Sequence, residues 1–200
     1  MKVEVQGYKQ SLTASEVLSP YLGTIWEFYV SHAICKSAGQ RRAPSDYGLK
    51  QLPLSKMLET AEIDSDKIKV LPANSINKTL AKYDLATVSG KGSEKKNQEI
   101  DIDTTRIVCL TPFSISDEEP PNPIVGDAES ILTHIRNALA HGNTYLFKNG
   151  NMMLEDIAMD GKTITARMVL HQKTLIDWIK VIDKDSKFYH INEAGDEHDN

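Results

Sequence analysis

Three polar residues with clear chemical potential lie close together in the second half of the chain: Arg136, Asn137 and His141. Histidine titrates near neutral pH, so its ring can take up or release a proton during a reaction. Arginine stays charged and presents a planar fork of donors that matches the oxygens of a phosphate. Together the two side chains could hold a phosphate and move a proton beside it, and the Asn137 amide could orient either of them.

The element that must position these residues is a predicted helix over residues 127–141. Asp127 suits its N-cap, and Gly142 suits the position that ends a helix in the left-handed conformation. Apolar residues recur at three- and four-residue spacing and fill one arc of the helix. They are Ile131, Leu132, Ile135, Ala138 and Leu139. The helix therefore has an apolar side for the core and a polar side that is expected to face solvent.

The polar side of this helix carries His134, Asn137 and His141 on one stripe, because offsets of three, four and seven residues return to the same face. Arg136 lies apart from that stripe, about 140° round the helix from His141. A phosphate held by both Arg136 and His141 must therefore wrap the helix end, or a second copy of the helix must face the first.

Arg136 and His141, with four residues between them and Asn137 directly after the arginine, resemble the R-x4–6-H signature of HEPN domains. Residues 144–151, which follow the motif, are similar to a plasmid- and bacterium-borne HEPN subgroup in which strands follow the signature helix. The resemblance covers residues 127–157. It implies a helical bundle, a homodimer whose two motifs meet in a cleft, and a metal-independent endoribonuclease that acts as a toxin or in phage defence, with no cofactor.

The resemblance also implies roles for the individual residues. RNA carries its own nucleophile, the 2′-hydroxyl group. His141 is then the base or acid, Arg136 stabilises the developing phosphorane, and Asn137 positions His141 or the phosphate. His134, Arg41 and Arg42 are candidate contacts to a single-stranded RNA substrate, and no metal ligand is expected.

Two other functions remain open at this point. The chain could be a non-catalytic HEPN module that binds RNA, a nucleotide or a partner protein, or a bundle used only for protein assembly. In either case His141 is simply a favourable residue at the negative end of a helix, and His134 is a solvated side chain.

Composition sets limits on the class of protein. The 200 residues carry 23 basic and 28 acidic side chains, a net charge of −5, which argues against non-specific attraction to phosphate. The two cysteines, Cys35 and Cys109, are too few for a disulfide framework and are typical of a reducing cytosol. Neither a signal peptide nor a membrane span is apparent, so a cytoplasmic protein is expected.

The remaining periodicity predicts a mainly α fold, an up-and-down helical bundle with a small antiparallel three-stranded β-meander at about residues 144–170. Further helices are predicted within residues 13–38, 54–63, 75–88 and 171–183. The charged segment between residues 90 and 103 is expected to be an exposed loop. Residues 1–184 are expected to form a single domain, followed by an acidic, disordered tail over residues 185–200. The expected partners are a second copy of the chain, an RNA substrate, and an antitoxin or regulatory protein.

Overall fold

The computed structural model describes residues 2–5, 21–32, 34–35, 42–71, 98–111, 128–159 and 163–189, together with residues 76, 80, 82 and 85. The helices of this part of the chain are α1 (Leu22–Glu27), α2 (Leu54–Thr60), α3 (Ala128–Ala140) and α4 (Gln172–Ile182). A π-helical turn (Phe28–His32) follows α1, and short 3-10 helices span Pro44–Tyr47 and Ser65–Lys67. The strands are β1 (Lys2–Val5), β2 (Ile68–Leu71), β3 (Gln98–Asp101), β4 (Arg106–Leu110), β5 (Thr144–Leu146), β6 (Asn151–Ile157) and β7 (Ile164–His171).

A five-stranded mixed sheet organises the fold, with the strand order β2-β4-β7-β6-β5. The pairs β4–β7, β7–β6 and β6–β5 are antiparallel, whereas β2 runs parallel to β4. The tight β5–β6 turn relies on Gly150, whose φ of 82° is costly for any residue with a Cβ. Strands β1 and β3 form a separate antiparallel pair.

This architecture shows that the predicted mainly helical bundle is wrong. The fold is α/β, and the predicted three-stranded meander is one part of a larger sheet. The helices at residues 127–141 and 171–183 are confirmed as α3 and α4, and α2 lies within the predicted 54–63 segment. The error arose because β2 has only four residues and pairs with a distant strand, so its stabilisation is non-local. Most of the predicted 75–88 helix lies outside the described residues.

One face of the sheet is covered by helices. Apolar side chains of α3 and α4 pack on inward-facing residues of the strands, among them Ile107, Leu154 and Met168. Two long-range hydrogen bonds fix the helices around this core: Trp178 Nε1 donates to the Met57 carbonyl at 2.7 Å, and the Tyr29 hydroxyl donates to the Leu175 carbonyl at 2.9 Å. Burial raises the pKa of Tyr29 well above its usual value, so the phenol remains a donor.

The opposite face of the sheet is covered by β3 with its neighbouring residues and by residues of the predicted 75–88 helix. Ile100 and Ile102 are fully buried there, together with Leu80 and Leu85, against strand residues that include Val169. The prediction of an exposed loop between residues 90 and 103 is therefore wrong for Gln98–Asp101, which forms β3. Two isoleucines in a charged stretch provide enough apolar area to hold it against the sheet.

The chain after α4 stays packed beyond the predicted domain boundary at residue 184. The buried carboxylate of Asp183 accepts hydrogen bonds from the backbone amides of Lys187, Phe188 and Tyr189, each at 2.8 Å. Phe188 and Tyr189 then pack against the core. The predicted tail is thus part of the domain as far as Tyr189, and residues 190–200 lie outside the described residues. None of the helices in the described part of the chain is long and apolar enough to cross a membrane.

Candidate functional site

Helix α3 is buried over most of its surface, since nine of its 13 residues are buried. Its apolar arc packs into the core, and its polar stripe packs against β6 and the end of β4 rather than facing solvent. The prediction that this stripe faces solvent is therefore wrong for His134, whose surface is only 4% exposed. Polar residues on a helix face of this kind require polar partners in the sheet.

His134 has such partners at both ring nitrogens. Nδ1 lies 2.7 Å from Oδ2 of Asp156, and Nε2 lies 2.6 Å from the backbone carbonyl of Leu110. Both neighbours present an oxygen to the ring, so the His134 side chain links the Asp156 carboxylate to the backbone of β4. His134 is thus enclosed between α3, β4 and β6, and the structure does not place it where a substrate would contact it.

Asn137 continues the network toward the surface. Its Nδ2 donates to Asp156 Oδ2 at 2.9 Å, and its Oδ1 accepts from Nη1 of Arg136 at 3.2 Å. Arg136 and Asn137 are both partly exposed. Asn137 lies only about 40° round the helix from His141. Because the Arg136 head bonds to Asn137, the guanidinium is drawn from its own side of the helix toward the stripe that ends in His141.

His141 lies at the C-terminal end of α3, where the chain turns through Gly142 at a φ of 71°. The Gly142 amide donates to the Leu139 carbonyl at 3.2 Å and the Asn143 amide to the Ala138 carbonyl at 2.9 Å, the bond pattern of a Schellman motif. The prediction that Gly142 ends the helix is confirmed. His141 is exposed, and no group among the described residues hydrogen-bonds to its ring. Its imidazole is accessible to a ligand.

Arg41 lies outside the described residues, and Arg42 is engaged elsewhere in the fold. The guanidinium carbon of Arg42 lies 3.6 Å above the centre of the Phe188 ring, and Nη2 lies 3.1 Å from Nδ1 of His32. Neither contact involves the end of α3. Arg42 therefore helps to hold the segment after α4 in place, and the structure does not bring it together with Arg136 and His141.

Asp156 is the residue of this site that the sequence analysis missed. Its carboxylate accepts from both His134 and Asn137 and is 7% exposed. The signal that could have found it is the pair Glu155-Asp156 inside an otherwise apolar strand. Side chains alternate across a sheet, so one of two adjacent acids must point at the helix-covered face, where it needs a donor.

The chemical capacity of the site is that of a guanidinium held by Asn137 in the last two turns of α3 and an exposed imidazole at the end of that helix. Within the described residues, no group of three or more His, Cys, Asp or Glu side chains is arranged to hold a metal ion. No family model matches the chain, and neither a curated protein nor a solved structure shows significant similarity to it. The resemblance to HEPN domains therefore rests on the motif and the residues next to it.

Proposed function

We propose that this chain is a metal-independent endoribonuclease in which Arg136, Asn137 and His141 form the reactive site. The observation that carries the proposal is the bond from Arg136 Nη1 to Asn137 Oδ1, which directs the guanidinium toward the face of the exposed His141. A phosphate at this helix end would meet a fixed cation and a group able to exchange protons.

The reaction that suits these groups is attack of the RNA 2′-oxygen on the adjacent phosphorus. One proton leaves the 2′-hydroxyl, the bond from phosphorus to the 5′-oxygen breaks, and one proton is delivered to that oxygen. The products are a 2′,3′-cyclic phosphate and a free 5′-hydroxyl. Arg136 balances the negative charge that develops on the phosphorane, and His141 accepts or supplies a proton.

Two protons move in this reaction, so a second acid–base group completes the site. In this proposal the group is His141 of a second copy, and the enzyme acts as a homodimer with both helix ends at one cleft. Such an enzyme damages cellular RNA, which suits a toxin or a phage-defence effector and calls for an antitoxin or regulatory protein that keeps it inactive.

The test is cleavage of a 5′-labelled single-stranded RNA by purified protein in the presence of EDTA. We expect His141→Ala and Arg136→Ala each to lower the rate by about 100-fold or more, because each removes a group that acts only in the transition state. Lys148→Ala is the matched control, since Lys148 is an exposed basic residue on the nearby β5–β6 turn. A 2′-deoxy substitution at the cleavage site should abolish the reaction.

Expression in bacteria gives a second readout, in which the wild type slows growth and His141→Ala relieves the effect. Equal growth of the two strains, together with no RNA cleavage with or without EDTA, would overturn the proposal. RNA that is bound but left intact would instead identify a non-catalytic binding module.

A further inference from the structure

The direction of the Asn137 side-chain amide is fixed by its two neighbours. An ionised carboxylate only accepts hydrogen bonds, and a guanidinium only donates them. Asn137 lies between one of each, so its NH2 group must face Asp156 and its oxygen must face Arg136. A rotated amide would place donor against donor on one side and acceptor against acceptor on the other.

The Asp156 carboxylate is itself held firmly. Its Oδ2 accepts from His134 and from Asn137, and the side chain is 7% exposed. Its backbone is tied to β7, because Asp156 pairs with Ala166 in the register of the two strands. The carboxylate is therefore a fixed point of the sheet from which the amide of Asn137 is aimed.

His134 locks this fixed point to a third element. Its ring lies between Asp156 on β6 and the Leu110 carbonyl at the end of β4, and it makes one hydrogen bond to each of them. Rotation of the ring would break both bonds in a buried site, where unpaired polar groups are costly. These bonds thus restrict how α3, the helix that carries Arg136, can rotate about its axis and how far it can move from the sheet.

From these contacts we infer that Asp156 and His134 are positioning residues of the proposed nuclease site. They act through Asn137, whose fixed amide oxygen holds the Arg136 guanidinium on the face of the helix that ends in His141. The inference rests on the proposed function, and it adds two buried residues that touch neither substrate nor reacting atoms.

The experiment compares a variant that removes the acceptor at 156 with one that keeps it. Asp156→Leu has a side chain of similar size with no acceptor, so the bond that fixes the Asn137 amide is lost and the amide can rotate. Asp156→Asn is the conservative variant, because its amide oxygen can take the place of Oδ2 and accept from both His134 and Asn137. In Asn137→Asp two carboxylates face each other.

We expect Asp156→Leu and Asn137→Asp each to lower kcat for RNA cleavage by about 10- to 100-fold, the cost of a misplaced reactive group, with KM changed less than about threefold. Asp156→Asn should keep kcat within about threefold of the wild type, since it retains the acceptor oxygen. Thr165→Val is the matched control, because it removes a hydrogen bond to the Asp156 backbone and leaves the carboxylate in place. It should leave kcat unchanged.

A second measurement is independent of activity. In 15N-labelled protein, the side-chain NH2 of Asn137 should exchange slowly with solvent, and Asp156→Leu should remove this protection whereas Asp156→Asn should keep it. An unprotected amide in the wild type, an unchanged kcat in Asp156→Leu, or an Asp156→Asn variant as impaired as Asp156→Leu would overturn the positioning role. A protected amide in a wild-type protein that cuts no RNA overturns the proposed function, and the positioning role with it.

Discussion

Two acidic residues stand side by side on β6, and their side chains point to opposite faces of the sheet. Glu155 meets Arg167 on the neighbouring strand, with Oε1 2.6 Å from Nε, and each side chain is 1% exposed. Arg167 Nη1 also donates to the Leu85 carbonyl at 2.8 Å. Asp156 meets His134 and Asn137, and the bonds continue from Asn137 to the partly exposed Arg136.

The difference lies in where each network ends. The Glu155–Arg167 pair is enclosed on the face covered by β3 and neighbouring segments, so its charges are matched within the core and no ligand reaches them. The Asp156 network begins at a buried carboxylate and ends at the surface with the partly exposed Arg136. A buried carboxylate therefore has a structural role in the first case, and in the second it supports side chains that reach the surface.

Removing one partner of the enclosed pair should have the largest effect on stability. Arg167→Met leaves the Glu155 carboxylate buried without its cation, and we expect the free energy of unfolding to fall by about 3–5 kcal/mol. Urea denaturation followed by circular dichroism measures the change. The double variant Glu155→Met/Arg167→Met should recover most of the loss, because an apolar pair leaves no charge unpaired. A single variant as stable as the wild type would show that the pair is open to water.

A substitution in the turn at the end of α3 should have a smaller effect on stability. Gly142→Ala places a Cβ at a φ of 71°, where nothing lies within 4 Å of it, so the cost is backbone strain of about 1–2 kcal/mol. The same urea assay measures it. Gly23→Ala is the control, since Gly23 lies in α1 with equal free space and ordinary φ. That variant should gain about 0.5–1 kcal/mol from helix propensity, and a loss of similar size in both variants would argue against strain at Gly142.

The smallest effect on stability is expected at His141, the exposed residue that follows α3. His141→Ala should change the free energy of unfolding by less than about 0.5 kcal/mol, because the ring is exposed and surface substitutions seldom do more. If the proposed function holds, His141→Ala should therefore lower RNA cleavage while leaving stability nearly unchanged. A loss above about 1.5 kcal/mol would show that the ring packs against the fold and would remove the contrast with the enclosed pair.

The end of α3 could be predicted because its signals are local. A glycine suited to the left-handed conformation, a regular apolar arc and a change to strand periodicity all lie within about two turns of His141. The β5–β6 hairpin was predictable for the same reason, since Asn149-Gly150 marks a tight turn.

The sheet and the partners of His134 could not be predicted in this way. β2 is stabilised by pairing with β4, which follows it only after a long connection. The partners of His134 are Asp156 and Leu110, which are separated from it by 22 and 24 positions in the sequence. A helical wheel separates polar from apolar faces but does not show that a polar face will meet a buried carboxylate. The contact of Arg42 with Phe188 could not be predicted for a similar reason, because Phe188 lies at the far end of the chain.

The placement of Glu155 and Asp156 also fixes how β6 aligns with its neighbours. A slip of one residue in one direction would bring Leu154 opposite Arg167, and a slip in the other would bring Ile157 to His134 and Asn137. Either misalignment would place a hydrocarbon side chain where the buried Arg167 or His134 needs a carboxylate. Two consecutive carboxylates thus give the strand a single acceptable alignment, even though the aliphatic residues before them would tolerate several.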